Sequence, residues 1–506
     1  MKNSFKNRKK LIILALIFLA GCSENFLDLD NPNKLTTQSY WKTGAELEAG
    51  LVGVYKAFSE GANWSYWQRT NVQLVEGRTE NFTISKDVNS RYQISMFTNT
   101  PENSSSEQIY LGCYTGIFRA NQVIHNADGI NDISTDYIKQ IIAEAKFCRA
   151  LNYFNLVNEF GSVPIIIKPA ESEQDYFSEK SPPEKIWEQI INDLRDAIPY
   201  LPYSYPEEQK GRATRGAAKA FLGKAFLYLE DWSNTINILE EIVTNEDKFG
   251  YGLMPDYADN FNDQNENNIE SVFEIQYSRL RSPVWGGPDA TSTVIAQECA
   301  PYEKGGWEEL KPTKVLLDAF LKEKTKDGGI DPRAMATLAW SYPGSTFYQS
   351  AFDSIWDEHE IHLKKNQNWW NENEGDWRSG LNEHPMRYAD VLLMLAEAYT
   401  MQNNIVKASI LVHRIRNRAQ LTDISSAMLN WNQGRMIQEI RHQRNLEFAR
   451  EMVHWFDLRR WGILKETIKN SGVEGHQNFT SKHEYYPIPE EELRNNPSMT
   501  QNAPWN

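Results

Sequence analysis

Two segments far apart in the chain share one design: a helical segment, a short polar turn and a second helical segment. From residue 216 to 242, small and apolar side chains fall at helical spacing on either side of a turn at residues 230–232. From residue 388 to 418 the same pattern surrounds a turn at residues 402–404. Apolar helix faces must be buried against other elements, so both segments are predicted to be packed helix pairs.

Each pair resembles a tetratricopeptide unit in two respects. It is roughly 34 residues long, and it has small residues where its helices would meet. Residues 245–380 separate the two pairs, so the chain is not a simple solenoid. Inside that segment, residues 271–277 and 360–363 alternate apolar and polar side chains, as strands do. We therefore predict a mainly α-helical fold, with tetratricopeptide-like helix pairs as the scaffold and a loop-rich, partly β insert.

Three further segments are predicted to be helices: residues 43–58, 138–154 and 187–201. The second stops at Gly161, a glycine signal for a helix C-terminus, shortly before Pro164. Residues 59–108 are polar and rich in Asn, Ser and Thr, which predicts long loops around one or two short elements. Long loops on a rigid scaffold are common positions for binding residues.

The N-terminus has the pattern of a lipoprotein signal peptide. Basic residues up to Lys10 precede an apolar run at residues 11–19, which is too short to span a bilayer as a helix. Ala20 and Gly21 then precede Cys22, whose thiol would accept diacylglycerol before cleavage. We predict a signal peptide at residues 1–21 and a lipid anchor on Cys22, in which each buried acyl methylene contributes roughly 0.8 kcal/mol.

Charge and cysteine content narrow the function further. The formal net charge of −15 argues against a nucleic-acid partner, because phosphate recognition needs a basic face. Besides Cys22, the chain has Cys113, Cys148 and Cys299, an odd number at wide spacing without a CxxC motif. The core is therefore not expected to depend on disulfides, and Cys148, on an apolar helical face, is predicted to be buried.

Aromatic residues give a hint of a ligand. The chain has 16 Trp, 23 Tyr and 22 Phe, and several stand in Asn-rich polar stretches such as residues 61–67 and 366–371. Most aromatic side chains are expected to fill the core, but those outside helical periodicity can form exposed platforms. Sugars stack their flat C–H faces on such platforms and bind amides and carboxylates through their hydroxyls.

Seven blocks, in order from Glu144 to the C-terminus, resemble the SusD/RagB family. They are EAKFCRA at 144–150 with FGSVP at 160–164, GRATRGAAKA at 211–220, RYADVLLMLAEA at 387–398, RIRNRA at 414–419, RNLEFA at 444–449 with WFDLRRWG at 455–462, YPIP at 486–489, and NP at 496–497 with QNAP at 501–504. A lipidated Cys22 is typical of the same family. The charged residues of these blocks are expected to form buried ion pairs or helix caps: Arg387, Asp390, Glu397, and Arg459 with Asp457.

The resemblance implies a lipid-anchored outer-membrane protein, facing the exterior, that binds a glycan and passes it to a SusC-like TonB-dependent transporter. It implies binding and transport rather than catalysis. It also implies one composite globular unit, with a SusD-like N-terminal region at residues 22–230 and a RagB/SusD C-terminal region at residues 231–506.

For ligand contact the family generally uses the loop between its first helices and loops of the central insert. Carried onto this chain, that implies eight ligand-binding residues: Trp64, Trp67, Arg78, Asn81, Tyr92, Trp285, Tyr302 and Trp307. The aromatic rings would stack on sugars, and Arg78 or Asn81 would bind hydroxyls or a sugar carboxylate. The chain departs from the common family pattern at Glu80, where many members have Asp, and its 83–106 loop contains no Trp.

No motif indicates an enzyme, because a GxSxG elbow, a P-loop and HExxH are all missing from the sequence. His359 and His362 lie in an alternating segment, where residues three apart face opposite sides of a strand, so a zinc pair is not expected. The run from Asp327 to Asp331 suggests a structural calcium site, but it lacks the spaced acidic ligands of a calcium loop and favours a turn. We expect no cofactor.

Two alternatives to a glycan importer remain open. A peptide-binding importer subunit of the RagB type predicts a polar cavity. A helical-repeat surface scaffold without a transport role predicts a concave partner-binding face and no small ligand. The aromatic, Asn-rich loops favour the glycan.

Overall fold

The computed structural model describes residues 40–59, 66–67, 70–280, 291–376 and 378–505. The helices are α1 Gly44–Lys56, α2 Thr70–Glu76, α3 Asn89–Ser95, α4 Ser104–Asn126, α5 Thr135–Phe160, α6 Pro183–Ala197, α7 Arg215–Tyr228, α8 Trp232–Thr244, α9 Glu246–Phe249, α10 Ile295–Cys299, α11 Lys314–Leu321, α12 Pro332–Thr337, α13 Tyr388–Met401, α14 Ile405–Arg418, α15 Ser425–Met428, α16 Gln433–Glu447, α17 His454–Arg460, α18 Leu464–Asn470 and α19 Glu490–Asn495.

The strands are short and form antiparallel pairs. They are β1 Phe82–Ile84, β2 Val163–Pro164, β3 Lys180–Ser181, β4 Ser271–Ile275, β5 Leu310–Pro312, β6 Leu338–Trp340, β7 Thr346–Phe347, β8 Ser350–Ala351, β9 Ile361–Leu363 and β10 Glu383–Arg387. In the described residues the pairs are β1 with β5, β2 with β3, β4 with β10, β6 with β9, and β7 with β8. The prediction of a mainly α-helical fold with a partly β insert is confirmed.

The scaffold is a row of helices that pack largely in chain order. Helix α4 packs on α5, α5 on α6, α6 on α7 and α7 on α8. Helix α8 then packs on α13, and α13 packs on α14 and α16. The two predicted helix pairs, α7 with α8 and α13 with α14, are therefore neighbours in space although the insert separates them in sequence.

Helix α5 lies at the centre of the N-terminal half. The Ser134 side chain accepts the Tyr137 N–H at its start, and Gly161, with φ of 72°, donates its N–H to the Val157 carbonyl at its end. From Phe147 to Phe160 every residue is buried, because other helices cover the helix on several sides. The glycine that the sequence marks as a helix C-terminus thus ends α5 as predicted.

One hydrophobic core connects the N-terminal and C-terminal regions, with members from Leu47 to Met499. A second, smaller core lies inside the insert, where Phe347, Tyr348, Phe352 and Trp356 pack together with Trp369 against them. Strands β4 and β9 lie within the two segments predicted to be strands. The insert therefore has its own apolar centre, which fixes the loops around it.

Residues 59–108 differ in part from the prediction of long loops, since they contain α2, β1, α3 and the start of α4. The 23-residue helix α4 is absent from the prediction. Its buried face contains Ser105, Gly112, Gly116 and Asn121 beside apolar residues, so the pattern of apolar side chains is too weak to reveal a helix.

Cys113, Cys148 and Cys299 are buried free thiols, which confirms the prediction for Cys148. Within the described part of the chain, no helix combines the length and apolar character needed to cross a bilayer. The signal peptide and Cys22 lie outside the described residues.

Candidate functional site

Three of the predicted ligand-binding residues lie inside the fold. Arg78 is 1 % exposed, Asn81 0 % and Trp67 5 %. Asn81 donates from Nδ2 to Asn445 Oδ1 at 2.7 Å, and the Trp67 carbonyl accepts a hydrogen bond from Tyr277 at 2.8 Å. Neighbouring side chains already cover these residues, so a ligand that touched them would have to displace those contacts.

Arg78 contacts one carboxylate and two aromatic rings inside the fold. Its Nη2 lies 2.5 Å from Glu159 Oε2, and its guanidinium lies 4.4 Å from the ring centroid of Trp455 and 4.5 Å from that of Tyr486. Arg78 thus takes part in a buried ion pair and two cation–π contacts within the fold.

Tyr92 and Tyr302, in contrast, each contact the turn after β1 at the surface. Strand β1 pairs with β5, with Phe82 opposite Pro312, and the Ser85 N–H continues the pairing to the Glu309 carbonyl. This pairing places the turn after β1 beside the residues that precede β5. The Tyr302 hydroxyl donates to Asp87 Oδ2 at 2.8 Å, and Lys86 Nζ lies 5.6 Å from the centroid of the Tyr92 ring.

We call Lys86, Asp87, Tyr92 and Tyr302 the Tyr302 surface. Tyr302 is 53 % exposed, Tyr92 is half-buried, and Lys86 and Asp87 are exposed. The hydrogen bonds from Tyr302 and Ser85 lower the pKa of Asp87, and Glu474 together with Tyr92 raises the pKa of Lys86. At neutral pH the surface therefore presents an aromatic ring, a carboxylate and an ammonium group side by side.

Trp307 is half-buried in the loop between Tyr302 and β5, where its N–H donates to the Gln297 carbonyl at 2.9 Å. Trp64 and Trp285 lie outside the described residues. For Tyr92, Tyr302 and Trp307, ligand contact stays a prediction.

Sequence reasoning missed Lys86 and Asp87, the two charged residues of the Tyr302 surface. The available signal is their position: two adjacent opposite charges, one residue after the end of β1, lie within the loop-rich segment predicted to bind ligand. Neither charge has a helical or strand pattern that would indicate a role.

Two depressions flank Arg212. One has a cavity volume of about 290 Å³ and lies between α1 and β4, with Leu51, Tyr55 and Phe273 in its wall. The other, of about 240 Å³, lies on the side of Tyr203 and Tyr251. Arg212 itself pairs with Glu48 and Glu144, each at 2.8 Å, so the polar groups between the depressions already bind one another.

Comparison with known proteins identifies the family. The sequence profile of the SusD family matches residues 250–505, and a profile described as starch-binding, associating with the outer membrane, matches residues 25–227. SusD-like protein P2 of Formosa agariphila is 30 % identical over 99 % of this chain and 99 % of its own length.

This chain belongs to the SusD family.

Solved structures agree with this assignment. A SusD superfamily protein from Bacteroides vulgatus is 32 % identical and superimposes with a TM-score of 0.84, covering 92 % of this chain and 99 % of that chain. A laminarin-binding SusD-like protein is 25 % identical, with a TM-score of 0.75 and coverage of 92 % and 100 %. The starch-binding protein SusD of Bacteroides thetaiotaomicron is 25 % identical over 45 % of this chain and 41 % of its own length.

The charged residues of the SusD-family blocks form buried ion pairs, as expected. Arg387 binds Glu270, Glu447 and Glu451, and the last lies 2.6 Å from Arg387 Nη2. Further pairs are Asp390 with Lys224 at 3.0 Å and with Arg444 at 2.8 Å, Glu397 with Arg460 at 2.5 Å, and Asp457 with Arg444 at 2.6 Å. These residues therefore stabilise the SusD fold.

One expected pair is wrong. Arg459 donates to the carbonyls of Asn158, at 2.5 Å, and Glu484, at 3.0 Å, rather than to Asp457. The neighbouring Arg460 forms the ion pair with Asp457 instead, at 2.9 Å. Adjacent residues on a helix point in different directions, and the sequence alone does not show which of the two arginines faces Asp457.

The residues that the sequence analysis weighed as metal ligands, and did not favour as a site, lie apart or have partners within the protein. His359 is exposed just before β9, while His362 is buried within β9 with Nδ1 2.9 Å from Glu308 Oε1. Asp331 accepts the Arg333 N–H at the start of α12 and pairs with the Arg333 side chain at 2.8 Å. Among the described residues no cluster of three or more His, Cys, Asp or Glu has the geometry for a metal ion. A calcium ion in the 327–331 turn has no support from these contacts.

Proposed function

We propose that this protein is a lipid-anchored glycan-binding protein on the outer face of the outer membrane, and that it delivers its ligand to a SusC-like TonB-dependent transporter. The observation that carries the glycan proposal is the Tyr302 surface on a SusD-family fold. Two relatives at 25 % identity, one named for laminarin binding and one for starch binding, support a glycan as the ligand class.

The Tyr302 surface has the chemistry that a sugar requires. Tyr302 keeps 53 % of its surface exposed, and its hydroxyl is held by Asp87, so the ring has a fixed orientation before a ligand arrives. A ring of fixed orientation costs little conformational entropy when it binds. The Asp87 carboxylate accepts hydrogen bonds and the Lys86 ammonium donates them, which matches the mixed donor and acceptor character of sugar hydroxyls.

The proposed action is binding and delivery rather than catalysis. Glycoside hydrolysis needs a carboxyl pair in which one member has a raised pKa. On the Tyr302 surface the pKa of Asp87 is lowered, and the group beside it is the ammonium of Lys86. This arrangement suits a hydrogen-bond acceptor that stays ionised.

Affinity electrophoresis in gels that contain laminarin, soluble starch, xylan, mannan or galactan tests the glycan proposal. We expect at least one polysaccharide to retard the mature protein, and the Tyr302→Ala variant to lose most of that retardation. Tyr176→Ala is the matched control, because Tyr176 is a 71 % exposed tyrosine outside the Tyr302 surface. Equal loss in both variants, or no retardation by any polysaccharide, would count against a glycan site here.

The transporter proposal needs a separate experiment. The full-length, lipidated protein is isolated from native outer membrane in mild detergent, and co-purified proteins are identified by mass spectrometry. We expect a large TonB-dependent barrel in stoichiometric amount. Recovery without such a barrel would remove the importer role and favour the helical-repeat scaffold.

A further inference from the structure

A second aromatic depression lies in the insert, apart from the Tyr302 surface. It is a cavity of about 450 Å³ between the 3₁₀ turn Tyr257–Phe261, helix α12 and residues 364–370. This volume falls within the range of roughly 300–1,000 Å³ in which proteins bind small ligands. None of its lining residues belongs to the Tyr302 surface. We call it the tryptophan cavity, after Trp369 and Trp370.

The two tryptophan rings form a corner. Their centroids are 5.9 Å apart and their planes meet at 74°, so the rings present two faces at nearly a right angle. Both side chains are half-buried. Trp369 packs against the small core of the insert, and the Trp370 carbonyl accepts a hydrogen bond from Gln349 at 2.7 Å. The corner is therefore held in place before any ligand binds, which favours affinity.

Lys364 leaves its ammonium available at the tryptophan cavity. Its Nζ lies 4.3 Å from the centroid of the Trp369 ring, and within the described residues it forms no ion pair with a carboxylate. Burial lowers its pKa. The neighbouring Lys365 differs, because it pairs with Glu451 at 2.5 Å and donates to Tyr257 at 2.8 Å. Lys364 is thus the lysine of this wall whose hydrogen-bond donors remain for a ligand.

The opposite wall supplies acceptors and sets the charge. Asp256, Asp259 and Asp263 line the cavity, and Asp263 is exposed. Because Glu451 balances Lys365, Lys364 alone opposes three carboxylates. A net negative lining disfavours uronic acids and sulfated sugars, and suits a neutral ring whose hydroxyls donate to carboxylates.

We infer that the tryptophan cavity is a second glycan subsite that takes a neutral sugar ring, stacked on Trp370 beside Trp369 and hydrogen-bonded by Lys364 and Asp259. This inference rests on the proposed glycan function and adds to it a place and a charge preference. Two separated aromatic platforms would hold two parts of one long glycan, or two chains, and so increase avidity.

Fluorine NMR of the mature protein labelled with 5-fluorotryptophan tests the inference. The resonances of the two residues are assigned with the Trp369→Phe and Trp370→Phe variants. The probes are neutral hexasaccharides of β-1,3-glucan, α-1,4-glucan, xylan, mannan and galactan. We expect one of them to shift the Trp369 and Trp370 resonances in a saturable way, and to do so also in the Tyr302→Ala background. Trp431, a half-buried tryptophan beside Arg435, is the matched reference.

The outcomes separate the two proposals. If a hexasaccharide shifts other tryptophan resonances while those of Trp369 and Trp370 stay fixed, the cavity is not a glycan subsite but glycan binding stands. If no tryptophan resonance moves with any hexasaccharide and no polysaccharide retards the protein, both proposals fail. A Trp369→Ala/Trp370→Ala double variant should bind the active hexasaccharide about tenfold more weakly, whereas Trp431→Ala should bind it as the unchanged protein does.

Discussion

Arg78 and Glu159 form a buried ion pair, 2.5 Å long, that joins distant parts of the chain. Arg78 follows α2 and Glu159 lies near the end of α5, while the two rings that cover the guanidinium, Trp455 and Tyr486, belong to α17 and the C-terminal tail. The side chains of Arg78 and Glu159 are 1 % and 0 % exposed. One cation thus holds together the N-terminal region and the tail.

Replacing Arg78 by Met should destabilise the protein strongly. Removing one partner of a buried pair leaves the other charge without compensation, which costs about 3–5 kcal/mol. The free energy of unfolding from urea titration measures this loss. Arg378→Met is the control, since water screens the solvent-exposed pair of Arg378 with Asp376 and its loss should leave stability nearly unchanged. Unchanged stability with lost glycan retardation would instead restore Arg78 as a ligand contact.

The cluster around Arg387 should make the fold sensitive to acid. Burial alone would raise the pKa of Glu447, but Arg418, Arg387 and Arg333 outweigh it and hold that pKa below its usual range. A carboxyl whose pKa is lowered in the folded state stabilises the fold above its unfolded pKa, and this contribution is lost as pH falls. We therefore expect the free energy of unfolding to decrease below about pH 4.5.

The Arg387→Met variant checks the origin of this acid sensitivity. It should lower stability at neutral pH by several kcal/mol, on the order of 3–5, and should flatten the dependence on pH below 4.5, because the carboxylates lose the cation that favours their charged form. Thermal denaturation followed by circular dichroism from pH 3 to pH 7 measures both effects. If the stability of the Arg387→Met variant depended on pH as that of the unchanged protein does, the acid sensitivity would not come from the cluster around Arg387.

Glu76 should have the opposite dependence on pH. Burial raises its pKa from 4.5 to about 7, although His454, Met452, Lys365 and Arg450 act against burial. The folded state then binds a proton that the unfolded state has lost, so stability falls as pH rises from about 4.5 to about 7. Glu76→Gln removes this titration. Across that pH range the free energy of unfolding of the variant should increase, relative to that of the unchanged protein, by up to about 3 kcal/mol.

Urea titrations of the two proteins at pH 5 and pH 8 measure the difference. Glu80→Gln is an informative contrast, because His454 outweighs burial and lowers the pKa of Glu80. The stability that Glu80 contributes is then present above about pH 4.5 and is lost as pH falls, so the deficit of this variant should shrink between about pH 5 and pH 3. A constant difference between the Glu76→Gln variant and the unchanged protein at both pH values would show that Glu76 does not titrate in this range.

The sequence predicted the elements whose signals are local. Helix α1 lies within the segment 43–58 that the spacing of apolar residues indicated, and Gly161 ends α5 as the glycine indicated. Helix α4 was missed because much of its buried face consists of small and polar residues. Local patterns report which face of an element is buried, and they fail where burial does not need apolar side chains.

The candidate site was predicted less completely than the helices, because its residues are brought together by contacts between distant parts of the chain. Tyr302 was named through the family resemblance, but its partner Asp87 stands 215 positions away, and only the pairing of β1 with β5 brings them together. Arg78 was assigned to the ligand through the family resemblance, because it lies in the loop region that the family generally uses for ligand contact. Its burial against Glu159 and Trp455 depends on contacts across the whole fold, which no local pattern contains.

Two helix glycines offer an internal test of the packing. A Cβ atom on Gly223 of α7 would lie 2.2 Å from Leu239 Cδ2 of α8, whereas a Cβ on Gly53 of α1 would meet no atom within 4 Å. Alanine favours a helix over glycine by about 0.5–1 kcal/mol, so Gly53→Ala should stabilise the protein by about that amount. Gly223→Ala should destabilise it by about 1–3 kcal/mol, because overpacking forces α7 and α8 apart.

Both substitutions add one methyl group to a helix. The difference between the two changes in the free energy of unfolding therefore isolates the effect of the close approach of α7 and α8. Urea titration at one pH is sufficient for the comparison. Opposite signs would establish that α7 and α8 meet through Gly223 as tightly as in a tetratricopeptide-like pair. If Gly223→Ala were as stabilising as Gly53→Ala, the contact with Leu239 would not limit the packing, and the small residues in this pair would need another explanation.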